Sequence, residues 1–369
     1  MKKKIITIVG TRPEIIRLSR IACALDKAFN HKIIHTGQNY DYELNRIFYE
    51  DLNIKKPSFY LKVSKKNVTN AVASILVGVD KILEKENPDA VVVLGDTNSA
   101  LSVIAAKKRK IPIFHLEAGN RCFDQRVPEE INRKLVDHIS DINLTYSTIA
   151  REYLLKEGLP SDLIIKIGSP MREVINYYKN KIINSKILKK YNLQKKKYFV
   201  ISCHREENVD SQKNLKKLAI TLNSIINFYK LPLLFSTHPR TRKIINKYKI
   251  KFNKKIKFVK PLGFVDYNNL QINSKAVLSD SGTISEESSI LKFPALNLRE
   301  NHERPEAMEE ASVMMVGFDK ERVLNGLKII LSSQSVNDVS DYGSVNVSEK
   351  VVKIIHSYIE YVNKKVWSK

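Results

Sequence analysis

Short runs of apolar, β-branched residues alternate along this chain with longer stretches whose apolar positions recur every three or four residues. This alternation is typical of parallel strands that are covered by helices. It predicts a first series of strands at 4–9, 32–36, 90–95, 111–116, 142–146 and 164–167. A second series follows at 198–203, 233–237, 256–259, 276–279 and 295–298. The pattern therefore predicts an α/β protein with two doubly wound parallel sheets.

A polar, lysine-rich segment at 179–197 separates the two series of strands. We predict a Rossmann-like domain at 1–175 and a second one at 176–347, because domain boundaries fall in such segments. The helix predicted at 348–369 is expected to return to the first domain. A length of 369 residues also favours two domains over one.

The chain is strongly basic, with 63 Lys and Arg against 39 Asp and Glu, and a net charge of +24. Nucleic-acid-binding proteins show the same balance. Here the lysines lie in surface-type segments such as 107–110 and 195–197, without interleaved aromatic residues or a known nucleic-acid-binding motif. The charge therefore indicates a solvated surface, and we predict no nucleic-acid partner.

Other features of the sequence indicate the cellular compartment of the protein. No apolar run approaches the roughly 20 residues that a membrane helix needs, and the N-terminus does not resemble a secretory signal. The cysteines are too few and too scattered for a disulfide framework or a paired metal motif, at Cys23, Cys122 and Cys203. We predict a cytoplasmic protein with reduced thiols and no membrane partner.

Ligands of doubly wound sheets bind beyond the carboxyl ends of the strands. The first strand is followed by the segment GTRPE, in which Pro13 suits the first turn of a helix. Arg12 and Arg17 near this helix start are expected to bind an anion such as phosphate. The alternative is a plain helix start with exposed arginines.

Three carboxylates are candidate acid–base groups. Asp96 and Glu117 each follow a predicted strand, and Glu129 begins a helix after a proline. Asp96 could instead cap a helix, and Glu129 could merely complement the helix dipole. Glu117 is harder to explain structurally, because a buried carboxylate without a task is costly.

Two histidines follow strands of the second series, His204 and His238. A histidine at such a position is often only a hydrogen-bonded structural residue. A metal site is disfavoured, because no second ligand lies at a helical spacing such as that of HExxH. We predict no metal.

The segment DSGT at 280–283 is a turn of small residues that opens a helix. Ser281, Gly282 and Thr283 can offer hydroxyl and backbone N–H groups to a diphosphate. Glu287, one turn further, could reach a ribose diol, and Arg304 is a further cation for the site. The alternative is a well-capped helix with no ligand.

Taken in order, the segments GTRPE, GDT, HLEAG, PEEINR, HRE, DSG and ERPEA resemble the bacterial non-hydrolysing UDP-N-acetylglucosamine 2-epimerase family over nearly the full chain. The resemblance implies the GT-B fold, with two Rossmann-like domains facing a central cleft, and a homodimer. It implies a UDP-linked 2-acetamido sugar as substrate and no cofactor. The absence of GxGxxG after the first strand also argues against a nicotinamide.

The resemblance also assigns individual residues. It implies catalytic roles for Asp96, Glu117, Glu129 and His204. It implies contacts with the nucleotide for Arg12, Arg17, Ser281, Gly282, Glu287 and Arg304, and an aromatic contact with uracil for Tyr267. Arg17 stands where a lysine is common, Thr283 replaces a usual second glycine, and Glu206 replaces a frequent arginine.

Within the family, the segments 36–44, 119–126 and 204–210 resemble the branch that makes UDP-N-acetyl-L-fucosamine from UDP-2-acetamido-2,6-dideoxy-L-talose for surface polysaccharide such as capsule or O-antigen. Residues 38–41 replace a segment that helps to bind an allosteric substrate molecule in UDP-N-acetylglucosamine epimerases. Three alternatives stay open: a UDP-N-acetylglucosamine 2-epimerase, a hydrolysing epimerase and a GT-B glycosyltransferase.

Overall fold

The computed structural model describes residues 2–37, 49–64, 66–205, 208, 211–237, 239–333 and 335–369. The chain divides into two compact units. Unit 1 contains Met1–Tyr177 and Asp341–Lys369, and unit 2 contains Tyr178–Ser340. Unit 2 is thus one continuous segment, and the chain returns to unit 1 after it.

Unit 1 is built on a parallel sheet. Its strands are β1 (Lys4–Val9), β2 (Asn30–His35), β3 (Phe59–Tyr60), β4 (Ala90–Leu94), β5 (Ile113–Ala118), β6 (Ile142–Thr145) and β7 (Ile164–Lys166). They are arranged in the order β3-β2-β1-β4-β5-β6-β7. The helices along this part of the chain are α1 (Arg12–Ala28), α2 (Val68–Glu86), α3 (Val103–Lys108), α4 (Pro128–Ile139), α5 (Thr148–Lys156) and α6 (Met171–Ile183).

Unit 2 contains a second parallel sheet. Its strands are β8 (Phe199–Ser202), β9 (Leu233–Ser236), β10 (Ile256–Val259), β11 (Ala276–Ser279), β12 (Ala295–Asn297) and β13 (Met314–Met315). They lie in the order β10-β9-β8-β11-β12-β13. Its helices are α7 (Ile187–Lys190), α8 (Gln212–Tyr229), α9 (Pro239–Lys247), α10 (Phe264–Asn273), α11 (Ile284–Leu291), α12 (Pro305–Glu309) and α13 (Lys320–Ser332).

The predicted fold class is confirmed, since the chain forms two parallel sheets with helices. Every predicted strand is present, and the structure adds β3 and β13 at sheet edges. In each sheet the strand order reverses once, between β1 and β4 and between β8 and β11. Such switch points are where doubly wound sheets bind ligands, so a ligand site is expected at the turns after these four strands.

Each unit has its own apolar core. In unit 1 the apolar strand residues pack against α2 and α3, with Ile6, Val91 and Ile113 fully buried. In unit 2 the core lies between the sheet and helices such as α8, with Phe199 and Leu222 fully buried. Strands buried on both faces read as continuous apolar runs, which is why they were visible in the sequence.

The last helix described, α14 (Val347–Trp367), belongs to unit 1 and packs against α1. Its buried residues recur every three or four positions and form one stripe, at Val347, Val351, Ile355, Ile359 and Val362. Among the helices of the described residues, none combines the length and the apolar character needed to cross a membrane.

Candidate active site

The turn after β1 is held by the buried Glu14. Its Oε2 accepts hydrogen bonds from the backbone N–H groups of Gly10 at 2.6 Å and Thr11 at 2.7 Å, and the Thr97 hydroxyl donates to Oε1 at 2.5 Å. Burial raises the pKa of Glu14 to about 7, although these hydrogen bonds favour the carboxylate. Glu14 therefore joins the turns at the switch point of unit 1.

The two candidate anion-binding arginines occupy different environments in α1. Arg12 is its first residue and is half-buried, whereas Arg17 is buried. The Arg17 guanidinium forms an ion pair with the carboxylate of Glu117. The structure thus brings together a predicted phosphate ligand and a predicted acid–base residue that are far apart in the sequence.

Glu117 lies near the end of β5 with a backbone φ of +65°. A residue with a side chain pays about 1–2 kcal/mol for this left-handed conformation. The pairing of β5 with β6 shifts register between Leu116 and Ala118, which is the mark of a β-bulge at Glu117. Asn120 donates from Nδ2 to Glu117 Oε1 at 3.3 Å. The Glu117 carboxylate lies near Gly95, which directly follows β4, since a Cβ at Gly95 would be 3.6 Å from Glu117 Oε2.

The glycine two residues after Glu117 is required by its surroundings. Gly119 has a φ of +82°, and a Cβ at this position would lie 2.3 Å from the carbonyl oxygen of Ala150. No other residue type fits such a position without moving the start of α5. The glycine of the Ala-Gly sequence after Glu117 therefore permits the backbone at Gly119 to approach the backbone at Ala150 closely.

Asp96 follows β4 and is bound by α4. Arg133 donates from Nη2 at 2.6 Å and from Nε at 3.1 Å to Asp96 Oδ2, and the Asn132 amide donates to the Asp96 carbonyl at 2.9 Å. The Asp96 side chain keeps 27% of its surface exposed while Arg133 is buried. One oxygen of Asp96 is thus fixed by a buried cation and the carboxylate remains accessible.

The two glutamates that begin α4 have separate roles. Glu130 is buried and accepts hydrogen bonds from the backbone of Cys122 at 3.1 Å and Phe123 at 3.2 Å, and from Arg133 at 2.7 Å. Burial favours the neutral acid, but these donors outweigh it and hold the pKa of Glu130 below its usual value. Glu130 therefore anchors the loop before α4, and Glu129 is half-buried in the same helical turn.

A buried charge network lies behind Glu117 and was not predicted from the sequence. Asp137 of α4 is fully buried, and its carboxylate lies 2.9 Å from His115 Nδ1 and 2.7 Å from Arg121 Nη1. The Gly119 N–H lies 3.2 Å from both of its oxygens. Arg121 also forms a bidentate pair with Glu157 at 2.8 and 2.6 Å. The only sequence signal for this network was the four-residue spacing of polar residues along α4.

In unit 2, the buried Asp280 organises the turn after β8. Its oxygens accept hydrogen bonds from the backbone N–H groups of His204 at 3.1 Å and Arg205 at 3.0 Å, and from the Asn208 amide at 3.0 Å. His204 Nδ1 lies 3.5 Å from Asp280 Oδ1, and half of the His204 side chain is exposed. Burial raises the pKa of Asp280, but the electrostatic interaction with His204 and these donors outweigh it and lower the pKa.

The turn before α11 has the composition of an anion site. The hydroxyls of Ser281 and Thr283 lie 3.0 Å apart, and the Ser281 N–H donates to Ser279 Oγ at 3.0 Å. Ser281, Gly282 and Thr283 are all partly exposed, while the rest of the first turn of α11 is buried. Partly exposed N–H and hydroxyl groups at a helix start suit a phosphate.

Two further candidates of unit 2 lie close to α11. Gln271 donates from Nε2 to Glu287 Oε2 at 2.7 Å, and Gln271 and Tyr267 belong to the same helix, α10. Burial raises the pKa of Tyr267, and the nearby carboxylate of Glu287 adds to this. Arg304 is buried with Nη2 3.7 Å from Glu286 Oε2.

His238, the segment 38–41 and Glu206 lie outside the described residues. In the part of the chain that is described, no group of three or more His, Cys, Asp or Glu residues is placed to hold a metal ion.

Comparison with known proteins extends over nearly the whole chain. The structure of UDP-N-acetylglucosamine 2-epimerase from Rickettsia bellii is 48% identical, superimposes with a TM-score of 0.93 and covers 100% of both chains. The Methanocaldococcus jannaschii UDP-GlcNAc 2-epimerase, in complex with UDP-GlcNAc and UDP, is 37% identical with a TM-score of 0.90, covering 96% of this chain and 99% of that one.

A relative with a different named substrate is the UDP-2,3-diacetamido-2,3-dideoxy-D-glucuronate 2-epimerase of Pseudomonas aeruginosa. It is 30% identical over 359 residues, covering 95% of this chain and 99% of the relative. Residues 22–356 match the family described as UDP-N-acetylglucosamine 2-epimerase. With the two parallel sheets and the groups at their switch points, these matches show that the chain belongs to the UDP-N-acetylglucosamine 2-epimerase family.

Proposed function

We propose that this chain inverts C2 of a UDP-linked 2-acetamido sugar by eliminating UDP and adding it back. The observation that carries the proposal is the set of carboxylates at the carboxyl edge of the unit 1 sheet. Asp96 follows β4 and Glu117 lies near the end of the neighbouring strand β5, and each carboxylate is paired with an arginine, Arg133 or Arg17. Such a set suits proton transfer, whereas transfer of a sugar to an acceptor does not need it.

The chemistry explains why acid–base groups and a nucleotide site are both needed. The hydrogen on C2 of the sugar is not adjacent to a carbonyl group. Its acidity is therefore too low for a base alone to remove it readily. When the C1–O bond breaks, its electron pair leaves with UDP, the proton of C2 passes to a carboxylate, and a C1=C2 double bond forms. Protonation of C2 on the other face and return of UDP to C1 give the epimer. No atoms are lost and no redox cofactor is required.

The residues divide between these tasks. Asp96, Glu117 and Glu129 exchange protons with C2 and with the leaving oxygen, each acid–base role typically contributing about 10²–10⁴ in rate. His204, held by Asp280, protonates or holds the departing phosphate, and the cations Arg12 and Arg17 stabilise its charge.

The nucleotide is bound by groups of unit 2. The N–H and hydroxyl groups of Ser281, Gly282 and Thr283 take the diphosphate. Glu287 accepts from the ribose hydroxyls, for which the hydrogen bond from Gln271 fixes its orientation. Tyr267 contacts the uracil, and Arg304 adds a buried positive charge.

Two sugars are candidates. The segments 119–126 and 204–210 support UDP-2-acetamido-2,6-dideoxy-L-talose, with UDP-N-acetyl-L-fucosamine as product. The names of the Rickettsia and Methanocaldococcus relatives support UDP-N-acetylglucosamine, with UDP-N-acetylmannosamine as product. The Pseudomonas relative, named for a third sugar, supports the view that family membership alone does not fix the sugar.

The test is to incubate each UDP-sugar with the protein in D₂O, without added cofactor, and to follow C2 by NMR. We expect deuterium at C2 of a UDP-linked epimer, faster with the L-talose derivative than with UDP-N-acetylglucosamine. Glu117→Gln should slow deuterium incorporation by about 10²–10⁴. Release of free sugar with UDP would instead identify a hydrolysing enzyme, and no deuterium from either sugar would refute the proposal.

A further inference from the structure

We propose that Asp137 is a positioning residue, which acts through His115 and Gly119 to hold Glu117 in its left-handed conformation beside Asp96. The inference rests on the proposed function, because it assigns a role in placing the same carboxylates. Asp137 lies behind the bulge of β5 and is fully buried, so it acts on the reaction only through other residues.

The conformation of Glu117 needs an external restraint. With a φ of +65°, Glu117 occupies a backbone region that residues with side chains rarely adopt. Such conformations persist only where the surrounding structure fixes them. The restraint must therefore come from contacts made by the residues on either side of Glu117.

Asp137 supplies this restraint on both sides at once. The residue two before Glu117 is His115, whose Nδ1 lies 2.9 Å from Asp137 Oδ1. The residue two after it is Gly119, whose N–H lies 3.2 Å from both oxygens of Asp137. Arg121 Nη1, at 2.7 Å, balances the buried negative charge. A single carboxylate thus ties down both flanks of the bulge.

His115 extends the restraint to the neighbouring strand. Its Nε2 lies 2.9 Å from the carbonyl oxygen of Gly95, the residue before Asp96. Nδ1 is thus in ion-pair contact with a carboxylate and Nε2 contacts a carbonyl oxygen, which are surroundings that favour the protonated ring. Burial lowers the pKa of His115, but the nearby carboxylate of Asp137 outweighs it and raises the pKa above its ordinary value. His115 therefore links the segment that carries Glu117 to the backbone before Asp96.

The residues that bind Asp96 and restrain Glu117 lie on the same helix, α4. Glu129, Arg133 and Asp137 are four residues apart, so they lie on one face of the helix. Arg133 binds Asp96, and Asp137 restrains Glu117. One rigid helix face thus sets the positions of the proposed acid–base groups, for which a displacement of about 1 Å can cost about 10² in rate.

The test compares Asp137→Asn with a matched control, Asp141→Asn. Asp141 is equally buried, pairs with Lys107 and accepts the Ile113 N–H at 2.9 Å, at the opposite end of β5. Both substitutions remove one buried, ion-paired charge. For epimerisation, we expect Asp137→Asn to lower kcat about 100-fold with KM and the Kd of UDP within about threefold of wild type. Asp141→Asn should keep kcat within about threefold.

Two readouts separate positioning from loss of folded protein. With substrate deuterated at C2, the primary isotope effect on kcat should rise in Asp137→Asn, because proton transfer is the step that is misaligned. Should that variant fail to fold, His115→Gln, which removes the imidazolium and keeps an uncharged donor, should show the same selective loss of kcat.

The protonation of His115 provides a readout that does not depend on turnover. In ¹⁵N-histidine NMR of the wild-type protein at neutral pH, we expect two protonated ring nitrogens for His115. An inactive wild-type protein would refute the proposed function and leave this measurement intact. A neutral His115 in the wild type, an unchanged kcat in Asp137→Asn, or an equal loss in Asp141→Asn would overturn the inference.

Discussion

At the scale of single residues, ionisation of the buried Glu14 carboxyl group lowers the stability of the folded protein. It is buried at the switch point of unit 1, where it accepts three hydrogen bonds and has no described cation against it. Its pKa of about 7 lies well above the ordinary 4.5. Between these values the folded protein keeps a proton that the unfolded chain has lost, so stability falls as the pH rises through this interval.

Replacement of Glu14 by Gln should remove this dependence, because the amide oxygen still accepts from the backbone but does not titrate. Relative to the variant, the wild type should lose on the order of 2 kcal/mol of unfolding free energy between pH 5 and 7, at no more than about 1.4 kcal/mol per pH unit. Urea unfolding of both proteins at several pH values measures the difference.

Glu86→Gln is the matched control. Glu86 is also buried, but the hydrogen bond from Lys32 lowers its pKa. The contribution of Glu86 to the free energy of unfolding is therefore complete above pH 4.5 and is lost only in more acidic solution. The difference between wild type and this control should stay constant from pH 5 to 8. A constant difference for Glu14→Gln as well would contradict the elevated pKa.

The residues of the site were predictable to different degrees. Asp96, Glu117 and His204 were found because they directly follow apolar runs and match family segments. Their partners were not found, because a contact such as that between Arg17 and Glu117 depends on how β1 and β5 are arranged in the sheet. Sequence spacing shows which side chains share a face of one element, but not which element they meet.

At the scale of elements, the long apolar runs and the spacing of apolar residues in helices were sufficient to predict most of the fold. The two strands that were missed, β3 and β13, have two residues each, which is too short for any periodicity to show. The helix α14 illustrates the stronger signal. Its stripe of buried aliphatic residues recurs at helical spacing and covers α1 in the structure.

The contribution of α14 can be measured with Ile355→Ala. Ile355 is fully buried in the centre of the stripe, so its truncation leaves a cavity and should cost about 2–5 kcal/mol of stability. Val366→Ala, at an exposed position of the same helix, should change stability by about 0.5 kcal/mol or less. Urea unfolding followed by circular dichroism compares the two, and equal effects would show that α14 contributes little to unit 1.

At the scale of the whole molecule, each unit has apolar clusters of its own among the described residues. The clusters of unit 2 contain only residues of Tyr178–Ser340, which is one continuous segment. A segment with its own sheet and core has what it needs to fold alone. Unit 1, by contrast, is assembled from two separate segments of the chain.

We expect the fragment 178–340 to fold by itself and to bind UDP, because Tyr267, Glu287 and the turn 281–283, the groups proposed for the uracil, the ribose and the diphosphate, lie within it. Isothermal titration should give a measurable Kd for UDP, and Glu287→Gln in the fragment should weaken binding about tenfold, as expected for the loss of one charged hydrogen bond of about 1.5 kcal/mol. The exposed Glu321→Gln should have no effect. A folded fragment without affinity for UDP would contradict the assignment of the nucleotide to unit 2.

The return of the chain to unit 1 at Asp341 has a consequence for synthesis in the cell. The ribosome makes the sheet of unit 1 first, yet α14, which covers α1, emerges only after all of unit 2 has been translated. Unit 2 can therefore be complete while the nascent first sheet still exposes an apolar helix face. During this interval the face of α1 that α14 later covers remains exposed to solvent.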